Sequence, residues 1–314
     1  MRFVIDETSW RFDELEPVAC IESFEAMLDR LDEAYELGHA ACYSEDLFIV
    51  PVWRDKTFYE LYDPNSPLLI PQTVRERLAV LFARLPRWQD LPEYPQPPAF
   101  DVRIGDAQVQ YAPSVAWAYA QAHADASQAV ACISFPGHCS GGCLDVSLND
   151  IRLPIWFVVS AEDCRGFFRW LIAHTTKNPH DLCELAPSAF PALEFVDGVF
   201  DGIKDMSKPY RDLVASLVDH LGTLSDHGRR IFSRPWSSVP AEFGSLGISI
   251  SDENGKTKHN PAARTERTVM VRGKKLICWW HCKLHPDRDR IHICPDSLNN
   301  GGKLVIGIFC RHLT

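Results

Sequence analysis

Lys275-Leu276-Ile277-Cys278-Trp279-Trp280-His281-Cys282-Lys283, Asp289-Arg290-Ile291-His292-Ile293-Cys294 and Lys303-Leu304-Val305-Ile306-Gly307-Ile308-Phe309-Cys310-Arg311-His312 are the three runs that decide the fold of this chain. Each has the length and the β-branched or aromatic content of a strand. Turn residues separate them, His285-Pro286-Asp287 in the first gap and Pro295-Asp296-Ser297 through Asn299-Asn300-Gly301-Gly302 in the second. The pattern predicts a three-stranded antiparallel meander. Alternate residues of a strand share a face, so Trp279, His281 and Lys283 are expected on one side of the first strand. Arg290 and His292 oppose Ile291 and Ile293 in the second. In the third, Leu304, Ile306 and Ile308 share the apolar face and Arg311 lies near the other. His281, Lys283, Arg290, His292 and Arg311 are therefore expected to converge on one open surface.

The charge along the chain is segregated. Residues 254–314 hold twelve Lys and Arg against four Asp and Glu, together with five of the twelve His, while the whole chain is −10. A positive end on an acidic body points to a nucleic-acid-facing surface there and argues against general DNA coating by the whole protein. At 314 residues, 46% of them hydrophobic, the chain can bury a sizeable core in one large or two ordinary domains. It contains no eighteen-residue apolar run, so no membrane helix is expected. Met1-Arg2-Phe3-Val4-Ile5-Asp6 enters a strand without a signal-peptide pattern, which predicts a cytoplasmic protein. Eleven cysteines, odd in number and irregularly spaced, are expected to be reduced rather than paired.

Working back toward the N-terminus, Thr268–Arg272 and Lys275 onward predict a hairpin turning at Arg272-Gly273-Lys274. Asp252 through Asn260 is polar and is expected to be a loop, after a short strand at 247–251. Val214, Leu217, Val218 and Leu221 form the stripe of a helix beginning at Tyr210, just after Pro209. Asp181–Leu185 and Leu193–Lys204 also read as helical. The first part of the chain alternates strands with helices at 19–37, 71–85, 115–123 and 161–174. Together these predict an α+β protein: a mixed α/β N-terminal domain over residues 1–185, then helix, helix and antiparallel sheet over residues 186–314. The strand ending in Asp6 resembles the start of metal-dependent nuclease domains with clustered carboxylates, although a strand running into a loop explains it as well. The Gly-rich segment Phe135-Pro136-Gly137-His138-Cys139-Ser140-Gly141-Gly142-Cys143 lacks the Lys-Ser/Thr of a phosphate-binding loop and reads as a tight turn. His138, Cys139 and Cys143 are a zinc alternative there.

The order helix, helix, meander, with Arg290-Ile291-His292-Ile293, Lys303-Leu304-Val305-Ile306-Gly307 and Arg311-His312, resembles the RelE/HigB/ParE superfamily of small bacterial toxins over residues 190–314. The resemblance implies a ribonuclease whose basic and histidine side chains act on RNA or at the ribosome. Lys283, Arg290 and Arg311 would hold phosphates, and His281 or His292 would be acid or base. The same ending resembles uncharacterised bacterial proteins of anti-phage defence loci. The chain departs from the toxins in its acidic N-terminal part, which would regulate the domain or bind a protein partner, and in having no Tyr in its last hundred residues.

The chemistry expected is metal-free. The RNA 2′-hydroxyl attacks, His281 and His292 share the acid and base roles, and Lys283 and Arg290 stabilise the phosphorane. Lys274, Lys275, Trp279, Arg311 and His312 are expected to bind the nucleic acid, Trp279 by stacking a base. No cofactor is required. The alternatives are a non-catalytic nucleic-acid-binding subunit of a defence complex and a zinc module built from Cys278, His281, Cys282, His285, His292 and Cys294. Within one strand Cys278 and Cys282 lie roughly 13 Å apart on one face, which is too far for a simple tetrahedral clamp.

Overall fold

The computed structural model describes residues 1–12, 16–61, 63, 65, 68–135 and 139–313. The protein is α+β and divides into two compact units, Met1–Phe167 and Phe168–Thr314. The sequence places the boundary at 185/186. The structure places it inside the helix Ala161–Thr175, whose two ends belong to different units.

The first unit contains β1 (Phe3–Ile5), β2 (Ala41–Cys42), β3 (Pro51–Trp53), β4 (Lys56–Thr57), β5 (Asp101–Ile104), β6 (Gln110–Tyr111), β7 (Ala131–Ile133), β8 (Gly142–Leu148) and β9 (Ile151–Val158). Seven of them form a mixed sheet in the order β2-β1-β7-β9-β8-β5-β6, parallel from β2 to β9 and antiparallel beyond. The parallel strands β1 and β7 are buried along their whole length, as expected where both faces are covered. The helix Pro113–Ala124 packs with Val4, Cys132 and Phe157 in one core. Trp10, Phe24, Phe58 and Phe135 form an aromatic cluster with ring separations of 5.1–5.9 Å. The strand β8 escapes the sequence pattern, because it follows glycines and turns back at Asn149-Asp150. Both of those residues adopt positive φ, as in a two-residue primed hairpin turn.

Asp6 and Glu7 follow β1, and both are buried. Asp6 accepts hydrogen bonds from the Thr8 amide (3.1 Å), the Thr8 hydroxyl (2.6 Å) and the Ser134 hydroxyl (2.7 Å). It therefore caps a short 3-10 turn and ties β1 to the end of β7. Glu7 accepts from the Ser114 amide at the start of the helix Pro113–Ala124. Burial, then the neighbouring Asp6, pushes its carboxyl up to about 8. Among the described residues these carboxylates form no metal-sized cluster. His138 lies outside the described residues; Cys139 is half-buried and Cys143 exposed.

The second unit contains β10 (Leu193–Phe195), β11 (Ser249–Asp252), β12 (Thr268–Val271), β13 (Lys274–Ile277), β14 (Trp280–Lys283), β15 (Arg290–Cys294) and β16 (Leu304–Cys310). Five of them form a sheet in the order β10-β16-β15-β14-β11. The meander β14-β15-β16 is antiparallel, but β10 joins β16 in parallel, so the sheet is mixed. Leu193–Lys204, expected as helix, is instead this edge strand followed by a 3-10 segment, Val199–Asp205. The apolar edge of β16 outweighs local propensity there. The expected strand Lys275–Lys283 breaks at Cys278-Trp279. Its first half pairs with β12 in a separate hairpin turning at Arg272-Gly273, and its second half enters the sheet.

The long helix Tyr210–Phe232 covers one face of this sheet. Its Phe232 meets Trp280 edge-on at 5.4 Å, and a Cβ at Gly228 would come within 2.8 Å of Leu304. Trp280, Cys282, Ile291 and Ile293 are buried, and strand alternation puts them on this side. Ile293 pairs with Ile306, yet His292 pairs with Ile308. Gly307 is therefore the extra residue of a β-bulge, which turns Ile308 to the histidine side and Phe309 to the other. The expected common face of Leu304, Ile306 and Ile308 is broken at this point. A Cβ at Gly307 would lie 2.2 Å from Cys278 Sγ and 3.4 Å from Val269, so the absent side chain is what lets the β12–β13 hairpin rest on the sheet.

Two stability measurements check these packing arguments. Gly307→Ala forces Cys278 away and should destabilise the protein by about 1–3 kcal/mol in urea denaturation. Glu7 has a folded pKa above its unfolded one, so its contribution is full below pH 4.5 and lost as pH rises toward 8. Glu7→Gln, which keeps the acceptor for Ser114, should flatten that slope and leave the variant more stable than wild type at pH 8.5.

Candidate functional site

The second face of the sheet carries the polar row predicted by strand alternation. Ser251, His281 and His292 lie opposite one another on β11, β14 and β15, and Lys283 and Arg290 are paired in the next register position. The surface is not open. Residues 253–279 fold over it as the short helices Gly255–His259 and Pro261–Glu266, followed by the β12–β13 hairpin. A cavity of about 280 Å³ remains, lined by Glu253, Asn254, Thr257, Arg267, His281, Lys283, Arg290, His292, His312 and Leu313.

The two imidazole rings lie 5.4 Å apart, tilted by 43°. His292 is 2% exposed, and neither ring nitrogen makes a well-aligned hydrogen bond among the described residues. Burial, then His281 and Arg267, pushes it down to about 3, against the upward pull of the Cys278 backbone. His281 contacts the Ser251 hydroxyl through Nε2 at 3.0 Å and faces Glu253 Oε1 through Nδ1 at 3.5 Å. Burial lowers it to about 4, against the upward pull of Glu253. Both rings are therefore neutral at physiological pH.

Arg267 and Glu253 frame the pocket. The Arg267 side chain is 3% exposed, and its Nε and Nη2 both donate to Glu253 Oε1, at 3.1 and 3.0 Å. Its Nη1 donates to the Ala263 carbonyl at 3.1 Å. Neither residue was singled out in the sequence. Glu253 sits in a stretch that reads as a polar loop, and Arg267 is one of many basic residues near it. The one available signal is spacing, since Glu253 continues the alternation of Ser249 and Ser251.

Arg290 lines the pocket, but its guanidinium is committed to backbone carbonyls. It is 7% exposed, and its Nη1 donates to the carbonyls of His285 (2.7 Å) and Arg288 (2.9 Å) while Nη2 donates to that of Pro286 (3.0 Å). The guanidinium is the staple of the β14–β15 loop. Asp289, at positive φ, completes the loop by accepting from the Ser207 amide and hydroxyl. Lys283 is half-buried at the pocket and has no ion-pair partner among the described residues. His312 is exposed at its rim. Arg311 is exposed and lies outside the lining; its carbonyl accepts from the Asp289 amide. Lys274 and Lys275 are exposed on β13, and Trp279 is half-buried between β13 and β14; none of the three lines the pocket. Cys278 and Cys294 pack with Val305 in a small apolar core, while Cys282 is on the helix-covered side. The predicted zinc set is thus divided between two cores.

No family model, curated protein or solved structure matches the chain. Among the described residues no helix is long and apolar enough to cross a membrane.

Replacing Arg290 with Ala strands three loop carbonyls. It should cost about 2–3 kcal/mol, measured by chemical denaturation, and Arg290→Lys should recover only part of this, because one ammonium cannot reproduce the fork.

Proposed function

We infer that the second unit is a toxin-like endoribonuclease effector of a bacterial defence or toxin system, acting on RNA by acid–base catalysis in this pocket. The observation that carries the reading is the pair of adjacent neutral imidazoles beside an ammonium with no ion-pair partner among the described residues. An imidazole lone pair accepts the proton of the RNA 2′-hydroxyl as it attacks the phosphorus. His281 suits that step, because Glu253 at 3.5 Å stabilises the imidazolium that forms. A phosphate bound against the rings raises both of them, so that His292 can carry a proton to the leaving 5′-oxygen. Lys283, with Arg267 behind Glu253, balances charge on the phosphorane. The exposed Lys274 and Lys275 on the hairpin supply salt-dependent contacts to flanking phosphates. The sequence resemblance to RelE-type toxins, now limited to the helix Tyr210–Phe232 and the meander because Leu193–Phe195 is a parallel edge strand, is what suggests RNA as the substrate. The acidic first unit is the part proposed to meet a protein partner or regulator.

Purified full-length protein, labelled single-stranded RNA and EDTA provide the test. Wild type should cut the RNA, and His281→Ala and His292→Ala should each lower the rate by about 10²–10⁴-fold with binding retained. Lys283→Ala should lower both rate and affinity. RNA that is bound but left intact would select the alternative, a non-catalytic nucleic-acid-binding subunit of an anti-phage complex. RNA neither bound nor cut would sink both.

A further inference from the structure

We propose that Glu253, His281 and His292 hold a divalent transition-metal ion of the zinc class. The three side chains come from separate stretches: the residue following β11, β14 and β15. One ligand atom from each lies within 4.8 Å of the other two. Two imidazoles and a carboxylate at that spacing are a donor set suited to zinc, nickel or copper, and leave coordination positions open on the cavity side.

His292 carries the argument. It is 2% exposed and lines the cavity, and neither ring nitrogen makes a well-aligned hydrogen bond among the described residues; a ring N–H turned to the Cys278 backbone leaves the other nitrogen's lone pair for a ligand. A buried polar group in that condition costs free energy, and ligation accounts for it. The second ligand is oriented as metal-binding histidines commonly are, with the far ring nitrogen held by a hydrogen bond. His281 Nε2 meets the Ser251 hydroxyl at 3.0 Å and Nδ1 faces Glu253 Oε1 at 3.5 Å; with the ring proton on Nε2, donated to Ser251, the Nδ1 lone pair is the ligand atom. Arg267 fixes the third ligand from behind through two hydrogen bonds to the same carboxylate oxygen.

The surroundings narrow the ion. One carboxylate and two imidazoles are too few oxygen donors for a hard cation and suit an imidazole-binding ion, while Arg267, Lys283 and Arg290 place positive charge around the cavity. The same charges favour an anion on the ion's open positions. Cysteine plays no part, since Cys282 is on the other face of the sheet and Cys278 and Cys294 are enclosed by Val269, Val271 and Leu276.

One consequence rests on the ribonuclease reading. Ligation occupies the lone pairs that proton transfer uses, so the metal-loaded pocket is silent and chelation activates it. The site itself does not depend on that reading.

The test is calorimetric titration and thermal unfolding of chelator-stripped full-length protein with zinc chloride. One ion per chain should bind and raise the melting temperature, and magnesium chloride should do neither. Glu253→Gln and His292→Ala should each weaken zinc at least about tenfold, while Cys282→Ser should not. If His292→Ala fails to fold by circular dichroism, the half-buried His281→Gln decides. Zinc that binds equally well to the histidine variants, or is lost only with cysteines, overturns the site. If zinc binds but the loaded protein cuts RNA as fast as the stripped one, the silencing is overturned. If zinc binds and no RNA is ever cut, the ribonuclease reading falls and the metal site stands.

Discussion

The fork from Arg267 to Glu253 is the contact on which the rest of the second unit's working face depends. A guanidinium 3% exposed cannot be left unpaired, and the carboxylate that meets it is itself nearly enclosed, at 12%. Removing one partner of such a pair strands the other charge. The fork also closes a segment of chain. Glu253 leaves the end of β11, Arg267 begins the hairpin, and the Arg267 carbonyl accepts from Cys278 at the hairpin's other end. Between these contacts, residues 253–279 are held over the sheet as a cover. Without the cover the histidine row would be an ordinary solvated face.

Enclosure is what gives the row its chemistry. An exposed imidazole titrates near neutrality and finds water. Here burial keeps both rings neutral, and His281 Nδ1 and the His292 nitrogens make no well-aligned hydrogen bond among the described residues. The same property underlies proton acceptance and metal ligation, so the two readings of the pocket use the same atoms. The bulge at Gly307 contributes from behind. It lets Cys278 and Val269 approach the backbone, so that the hairpin rests on the sheet beside the histidine row.

The first unit shows a different use of buried carboxyls. Asp6 and Glu7 are adjacent and inaccessible, but each is spent on backbone: Asp6 on a 3-10 turn and the β7 end, Glu7 on the start of the helix Pro113–Ala124. Burial, then the neighbouring Asp6, holds the Glu7 carboxyl protonated. What resembles a catalytic acidic strand end in sequence is a structural joint in the fold.

The sequence by itself determined the meander, the amphipathic helix that backs it and the alternation that separates His281 and His292 from Trp280, Cys282, Ile291 and Ile293. Those follow from the period of two in a strand and the period of 3.6 in a helix, which are local. It did not reveal that Arg290 staples a loop, because a guanidinium's partners are carbonyls fixed by the loop's path. Nor did it single out Glu253, or reveal the break at Cys278-Trp279 and the parallel β10 edge. Only the tertiary structure decided these, because each depends on which distant segment covers a given face of the sheet, and burial, unlike alternation, has no period that a single strand can carry.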